Sequence, residues 1–302
     1  MHWLDRLSLG WLERQPIFAD GWGDLDALVP FGEALTKVTP GSPLSLTWGP
    51  IRRERGLSVQ DGTAPSPARI LPEAVRTLHV RRLLCPVPTR RRLIVPPSWG
   101  DAGYGPRMWL FGALVARGLE VWLLEGAYFG ARARPISKVE DFSRMGLGHI
   151  EEVRALVETQ IAEGVPVSVA GYSMAGQLGS MAVQSLPHDV PVVAMAAAPS
   201  ADTVVIEGPL QKQVQWSKLG DGARERLQAW MRRVSVLDQP PPRSTKRGVA
   251  LNRGDGIVDP EATRRFARHW DVDPLEVSSG HVGAYALQRR TLQRYVGDVV
   301  LG

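Results

Sequence analysis

The run "VPVSVAGYSMAGQLGSMAV", Val165 to Val183, decides how this chain is read. Its first residues are small or β-branched and apolar, the pattern of a buried strand, and the residues from Met174 onward read as a helix. Between the two, Gly171-Tyr172-Ser173-Met174-Ala175-Gly176 leaves no length for a loop. A buried strand that turns straight into a helix exposes one side chain at the turn, and the neighbours of that side chain must be small to avoid clashing with it. Here the exposed side chain is Ser173.

On both sides of this turn, from about residue 74, short apolar runs alternate with helical segments. "TLHVRRLLC", "RRRLIVPP", "LEVWLLEG", "VPVSVAG", "VPVVAMAAAP", "RGVALNRG" and "PLEVSSGH" read as strands. "MWLFGALVARG", "GLGHIEEVRALVETQIAEG" and "EATRRFARHW" read as helices. Strands apolar on both sides, alternating with helices, predict a mostly parallel central sheet covered on both faces. Residues 1–70 are broken by Pro16, Pro30, Pro40, Pro43, Pro50, Pro65 and Pro67, which predicts an irregular N-terminal extension packed on a domain spanning 71–302. The one regular piece expected there is the start, where Trp3, Leu4, Leu7, Trp11 and Leu12 share a helical face. Residues 200–246 are too long for a simple crossover and are rich in apolar side chains, including Val204, Val205, Leu210, Leu227 and Trp230. They are expected to form a small lid, with its helical stretch packed over the cleft above Ser173.

Composition removes several function classes. The 302 residues carry a formal charge of +5, but the basic residues are 31 Arg and 5 Lys spread along the chain, with no nucleic-acid-binding motif. No nucleic-acid partner is expected; a weak peripheral attraction to anionic membranes is compatible with the charge. The clusters Arg52-Arg53-Glu54-Arg55, Arg81-Arg82 and Arg90-Arg91-Arg92 read as solvated strand edges or loop faces. A single cysteine, Cys85, allows neither a disulfide framework nor zinc spacing and reads as a buried structural thiol, so neither metal nor cofactor is expected. Without a membrane-length apolar run or a leader-like start, the chain reads as cytoplasmic.

A serine on a strand-to-helix turn works as a nucleophile only with a base to take its proton and a carboxylate to orient that base, and in this fold type they follow in the order Ser, acid, His. "RGVALNRGDGIVDP" places Asp255 on a glycine-rich turn after a late strand, and "PLEVSSGHVGAY" places His281 after the last one. Asp259 and Asp202 compete for the role of the acid, although Asp259 also suits the N-cap of the helix after Pro260. His2, His79, His149, His188 and His269 lie on the terminus or on predicted elements and a loop, where packing or surface roles fit, whereas His281 lies between Gly280 and Gly283. An oxyanion hole needs two backbone N–H groups. Met174 supplies one, and Trp99 or Gly100, in "LIVPPSWGDAGYGPRMW", supplies the other.

Three segments, "PPSWGDAGYGPRMWLFGALVARGLEVWLLEGAYFGARARP", "GYSMAGQLGSMA" and "SSGHVGAYALQRRTLQRYV", together resemble the family of α/β-hydrolase domain-containing protein 18. The resemblance runs from the "GWGDLDAL" segment at residue 21 onward and is strongest between 94 and 218. It implies an α/β-hydrolase fold and a serine hydrolase with nucleophile Ser173, acid Asp255 and base His281, acting on a small-molecule or lipid-like ester. The chain departs from the family pattern at Ala175, where the family has Gly, at the Pro96-Pro97-Ser98-Trp99 opening of the oxyanion loop, and in a shorter insertion before the Asp255 strand. These departures motivate the alternative of a non-catalytic binding or scaffold protein on the same fold. In "EGAYFGARARP", Glu125, Tyr128, Gly130, Arg132 and Pro135 follow a strand and so fall on the same sheet edge as Ser173, where they are expected either to shape the pocket or to order the loop through a Glu125–Arg132 pair. The substrate and the oligomeric state are not legible in the residues.

Overall fold

The computed structural model describes residues 4–6 and 16–302. The N-terminal helical face expected from Trp3, Leu7, Trp11 and Leu12 therefore lies outside the described residues, Leu4 excepted. The described residues form a ten-stranded sheet in the order β1-β3-β4-β6-β5-β7-β8-β9-β10, with β2 paired to β3. Its strands are β1 (Thr47–Trp48), β2 (Arg52–Glu54), β3 (Leu57–Pro65), β4 (Thr77–Leu83), β5 (Arg91–Val95), β6 (Leu119–Leu124), β7 (Val167–Tyr172), β8 (Val192–Met195), β9 (Arg247–Asn252) and β10 (Leu275–Val277). From β6 to β10 every pairing is parallel, and β1 to β4 form an antiparallel wing that joins at β6.

Successive side chains of a strand point to opposite faces, so a strand covered on both sides must be apolar throughout. Strands β6, β7 and β8 are buried along their whole length. Ile94, Trp122, Val169 and Ala194 pack on one face with the helices Val139–Ala162 and Met174–Gln184. Their neighbours Leu93, Val95, Val121 and Val193 pack on the other with Gly105–Phe111 and Arg289–Leu301. Among the described residues no helix is long and apolar enough to cross a membrane.

The structure differs from the sequence reading over residues 47–65, which are strands rather than irregular chain. The prolines flank these strands instead of interrupting them: Pro50 lies between β1 and β2, and Pro65 ends β3, positions a sheet edge tolerates. Arg55 and Gly56, with φ of 50° and 82°, close β2 onto β3 as a two-residue turn with both central residues left-handed, which matches the strand twist. Gly62 of β3 is required because the Trp48 ring lies 2.7 Å from where its Cβ would be. Of the arginine clusters, Arg52, Arg53, Arg55 and Arg90 are exposed as expected, whereas Arg81, Arg82, Arg91 and Arg92 are half-buried. Arg81 reaches Asp61 (2.6 Å) and Glu54 (2.9 Å) across the wing, and Arg82 lies over the Trp48 ring.

The stretch between β8 and β9 holds the short helix Asp202–Val205 and the helix Ala223–Arg232. Leu227 and Met231 bury themselves against Ile17 and Phe18 rather than over Ser173. Ile17 bridges to Val214, so the chain before α/β alternation begins is stitched to this insertion.

Candidate active site

Strand β7 ends at Tyr172 and the next helix begins at Met174, so Ser173 is the whole of the turn. Its backbone (φ 59°, ψ −130°) is one an L-residue adopts only at a cost of about 1–3 kcal/mol. The crowding of this turn falls on glycines. A Cβ on Gly171 would lie 2.2 Å from the Ala175 carbonyl carbon, and one on Gly176 would lie 2.9 Å from the Ala197 Cβ. Ala175, whose backbone is what crowds Gly171, carries its own Cβ in this turn and is buried.

The Met174 N–H is the first of a helix and has no intrahelical partner. The loop after β5 faces it. Ser98 Oγ donates to the Tyr172 carbonyl (2.7 Å), tying that loop to the elbow. Asp101 N–H donates back to the Ser98 carbonyl (3.2 Å), with Gly100 left-handed (φ 72°) in the turn this closes. The Asp101 carboxylate meets the buried guanidinium of Arg107, which also donates to the Val95 and Gly103 carbonyls. Burial pushes the Asp101 carboxyl up, against the pull of Arg107. The side chain of Trp99 stands edge-on to Phe129, centroids 5.7 Å apart, and leans on Phe142.

His281 opens the helix His281–Leu287 after β10, and its Nδ1 lies 2.8 Å from Asp255 Oδ2. A carboxylate only accepts, so Nδ1 carries the proton and Nε2 is left as an acceptor. Asp255 is itself fixed: its Oδ1 accepts the N–H groups of Ile257 and Val258 (2.9 Å each), and its Oδ2 accepts Asn252 Nδ2 (3.2 Å). Tyr172, the residue before Ser173, donates its hydroxyl to the His281 carbonyl (2.6 Å) and accepts Asn252 Nδ2 (2.7 Å). Burial pulls the imidazole pKa down, but the charge and hydrogen bond of Asp255, with the charge of Asp5, outweigh it and hold it above 6.5.

Of the acids the sequence left open, it is Asp255 that meets the imidazole. Asp259 caps the helix Pro260–His269 through the Glu261 N–H (3.0 Å), and Asp202 pairs with Arg232 (2.7 Å). The Glu125–Arg132 expectation is corrected. Arg132 makes a bidentate pair with Glu152 on the long helix (2.6 and 3.0 Å), and it meets only the backbone carbonyl of Glu125 (3.2 Å). Cys85 is half-buried, and burial pushes its thiol up, away from the reactive thiolate.

Ser173, Met174, Trp99, Gly100 and His281 line one cavity of about 580 Å³. Its remaining wall is mostly apolar, with Val204, Val205 and Leu210 from the 200–246 insertion and Ile257 and Val282 opposite. Trp230 does not line it. It borders an adjoining cavity of about 310 Å³ that shares Phe142, Met174, Gln177 and Ala201 with the first, and its indole donates to Ser143 Oγ (2.8 Å). Tyr172, Asn252 and Arg107 are not marked by the sequence: the roles of Tyr172 and Asn252 arise from pairings between distant strand ends, and that of Arg107 from the fold of its own loop around Asp101.

A parallel sheet with a serine on the sharp turn after a central strand, and an acid and a histidine after two later ones, is the α/β-hydrolase fold. Solved structures share it. An acetyl xylan esterase from Paenibacillus sp. R4 superposes with a TM-score of 0.62 at 12% identity, covering 96% of this chain and 99% of the other. Acetyl xylan esterase 1 from Thermoanaerobacterium sp. JW/SL YS485 gives 0.56 at 14%, covering 96% and 98%. A serine hydrolase without lid from Xanthomonas campestris gives 0.53 at 17%, covering 87% and 99%. Within that fold the chain belongs to the family described as alpha/beta hydrolase domain containing 18, whose sequence model matches residues 15–239. The matched span includes Ser173 and the Trp99 loop and stops short of Asp255 and His281.

Proposed function

We propose that this protein is a serine hydrolase that cleaves a carboxylic ester, with an acyl or lipid-like chain, through an acyl-enzyme on Ser173. The observation that carries the reading is the 2.8 Å bond between His281 Nδ1 and Asp255 Oδ2, with His281 lining the cavity into which the strained Ser173 turn opens. His281 Nε2 takes the serine proton as Oγ attacks the ester carbonyl, and Asp255 orients the ring and stabilises the imidazolium. The N–H of Met174 and that of Trp99 or Gly100 receive the developing oxyanion. The alcohol leaves with the proton from His281, and water, deprotonated by the same ring, releases the acid.

The wall formed by Val204, Val205, Leu210, Ile257 and Val282 supports an apolar acyl group over a sugar or a charged metabolite. The insertion that supplies the first three would act as the lid. The non-catalytic alternative rests on Ala175 and the Pro96–Trp99 opening, but the tight contacts of the elbow fall at Gly171 and Gly176. A fluorophosphonate probe should label the wild type and not Ser173→Ala; labelling that survives the substitution defeats the assignment.

Two further results are expected. The base must be neutral to accept the serine proton, and the folded pKa of His281 is raised. The acid limb of kcat/KM against pH should therefore lie above 6.5, with activity lost as pH falls through it. A limb at or below 6.5 would contradict the geometry. Leu210→Ala should lower kcat/KM on an octanoyl ester by about tenfold, since losing contact with a few methylenes costs about 1–2 kcal/mol, while acetyl ester turnover changes little. Equal losses on both chain lengths would count against a substrate-facing Leu210.

A further inference from the structure

The carboxylate of Asp5, near the start of the chain, is completely buried beside the Asp255–His281 pair. Its Oδ2 accepts the N–H groups of Gly256 and His281, and its Oδ1 accepts that of Val282, each at 2.9 Å. Gly256 directly follows Asp255, and His281 and Val282 are the first two residues of the helix His281–Leu287. One side chain from outside the α/β alternation thus bridges the turn that carries the acid and the helix that carries the base.

Resting on the reading of Ser173, Asp255 and His281 as the triad, we propose that Asp5 is a positioning residue, whose carboxylate locks the Asp255 turn to the His281 helix and sets the imidazole at its working place. The physics has two parts. His281 and Val282 stand at a helix N-terminus, where backbone N–H groups lack intrahelical partners and a negative charge is favourable. The His281 N–H is buried and those of Gly256 and Val282 are half-buried, so leaving them without an acceptor is costly and the segment has one strongly preferred arrangement with Asp5 in it. The backbone of His281 is then held at both ends, its N–H by Asp5 and its carbonyl by the Tyr172 hydroxyl. The second part is electrostatic. The groups facing His281 are Asp255 from the turn after β9, Asp5 from the N-terminal segment, and Tyr172 with Ser173 from the end of β7. Asp5 is the second carboxylate of the set, and its charge favours the imidazolium that forms when the serine proton is taken.

The test compares wild type, Asp5→Asn and Asp259→Asn in the full chain. Asparagine keeps the shape of aspartate but not the charge, and its NH2 cannot accept a backbone N–H. Asp259 caps the neighbouring helix Pro260–His269 and touches neither Gly256 nor His281, so it controls for the general loss of a helix cap. Three results are expected for Asp5→Asn and not for Asp259→Asn. Amide hydrogen exchange speeds up at Gly256, His281 and Val282, all protected in the wild type. The NMR titration midpoint of the His281 imidazole falls below its wild-type value, and the acid limb of kcat/KM moves down with it. In addition, kcat falls about a hundredfold with little change in KM, as expected for a displaced general base.

Wild-type amides at these three positions that exchange freely, or an unmoved His281 midpoint in Asp5→Asn, would overturn the assignment whether or not a substrate is in hand. A protein whose turnover survives Ser173→Ala refutes the serine-hydrolase reading instead. A Ser173-dependent enzyme with unaltered kcat and acid limb in Asp5→Asn refutes the role of Asp5 alone.

Discussion

Alanine at Ser173 is expected to lower kcat for ester hydrolysis about a millionfold, and adding His281→Ala should cost almost nothing further. The reason is that in the proposed mechanism the serine hydroxyl and the imidazole act as one device. Without Oγ there is no nucleophile for Nε2 to deprotonate, and without Nε2 the hydroxyl keeps its proton at neutral pH. Asp255→Ala should cost less, by about one to two powers of ten, because the ring of His281 keeps other restraints: its backbone carbonyl is bound to Tyr172, and its ring stands edge-on to Tyr172 with centroids 5.1 Å apart. What remains after the double substitution is the contribution of the oxyanion donors and of binding in the cavity. Single-turnover and steady-state kinetics on one activated ester, with the double substitution beside the two singles, make the comparison. Effects that multiply to far more than a millionfold would show the two side chains acting independently, which the shared cavity and the bond to Asp255 do not permit.

How much of this is legible in the sequence depends on how local the cause is. The elbow is legible because its signal lies within a few consecutive residues: β-branched strand, Gly171, Ser173, Gly176, helix. Asp255 and His281 can be picked out because each follows a strand whose apolar run is plain, and in a parallel sheet the residues after the strands gather at one edge. In the antiparallel wing β4 is legible as "TLHVRRLLC", but β1 to β3 are less visible. β2 and β3 are half-exposed or exposed, with arginines at β2 and prolines beside them, so they carry neither a continuous apolar run nor a clean alternation. The partners of buried charges are not legible at all. Arg132 has an acid seven residues before it in Glu125, yet Gly130 brings the loop around so that the Glu125 carboxylate accepts the Ala131 N–H (3.0 Å) and the guanidinium turns to the long helix. Asp5 likewise carries no mark in a polar and apolar mixture near the chain start, because what it binds is backbone some 250 residues away.

The same loss of local cause makes the Arg132–Glu152 pair the place where a single substitution should damage the fold most. Both side chains are buried, at 2% and 0% exposure. Glu152 also accepts Ser66 Oγ (2.6 Å), and Arg132 also donates to the Val75 carbonyl (2.6 and 2.9 Å). The pair therefore clamps the segment before β4, the loop after β6 and the helix Val139–Ala162 at one point. Glu152→Ala leaves a guanidinium in the core with no countercharge, and it should lower the unfolding free energy by about 3–5 kcal/mol. In a protein whose total stability is about 5–15 kcal/mol, that is a large share, readable as a fall in denaturant midpoint. Removing the charge as well, in Arg132→Met with Glu152→Leu, should recover most of the loss, because the penalty lies in the unpaired charge rather than in a missing attraction. The damage should also reach the chemistry. Phe129 lies on the loop that Arg132 anchors, and it packs against Trp99 on the loop proposed to supply an oxyanion donor. Glu152→Ala should thus lower kcat under conditions where the protein is still folded, whereas a substitution of equal destabilisation on the antiparallel wing, such as Val59→Ala, should not. A Glu152→Ala protein with wild-type denaturant midpoint, or a double variant no better than the single one, would refute the account of Arg132 as a buried cation held by one acid.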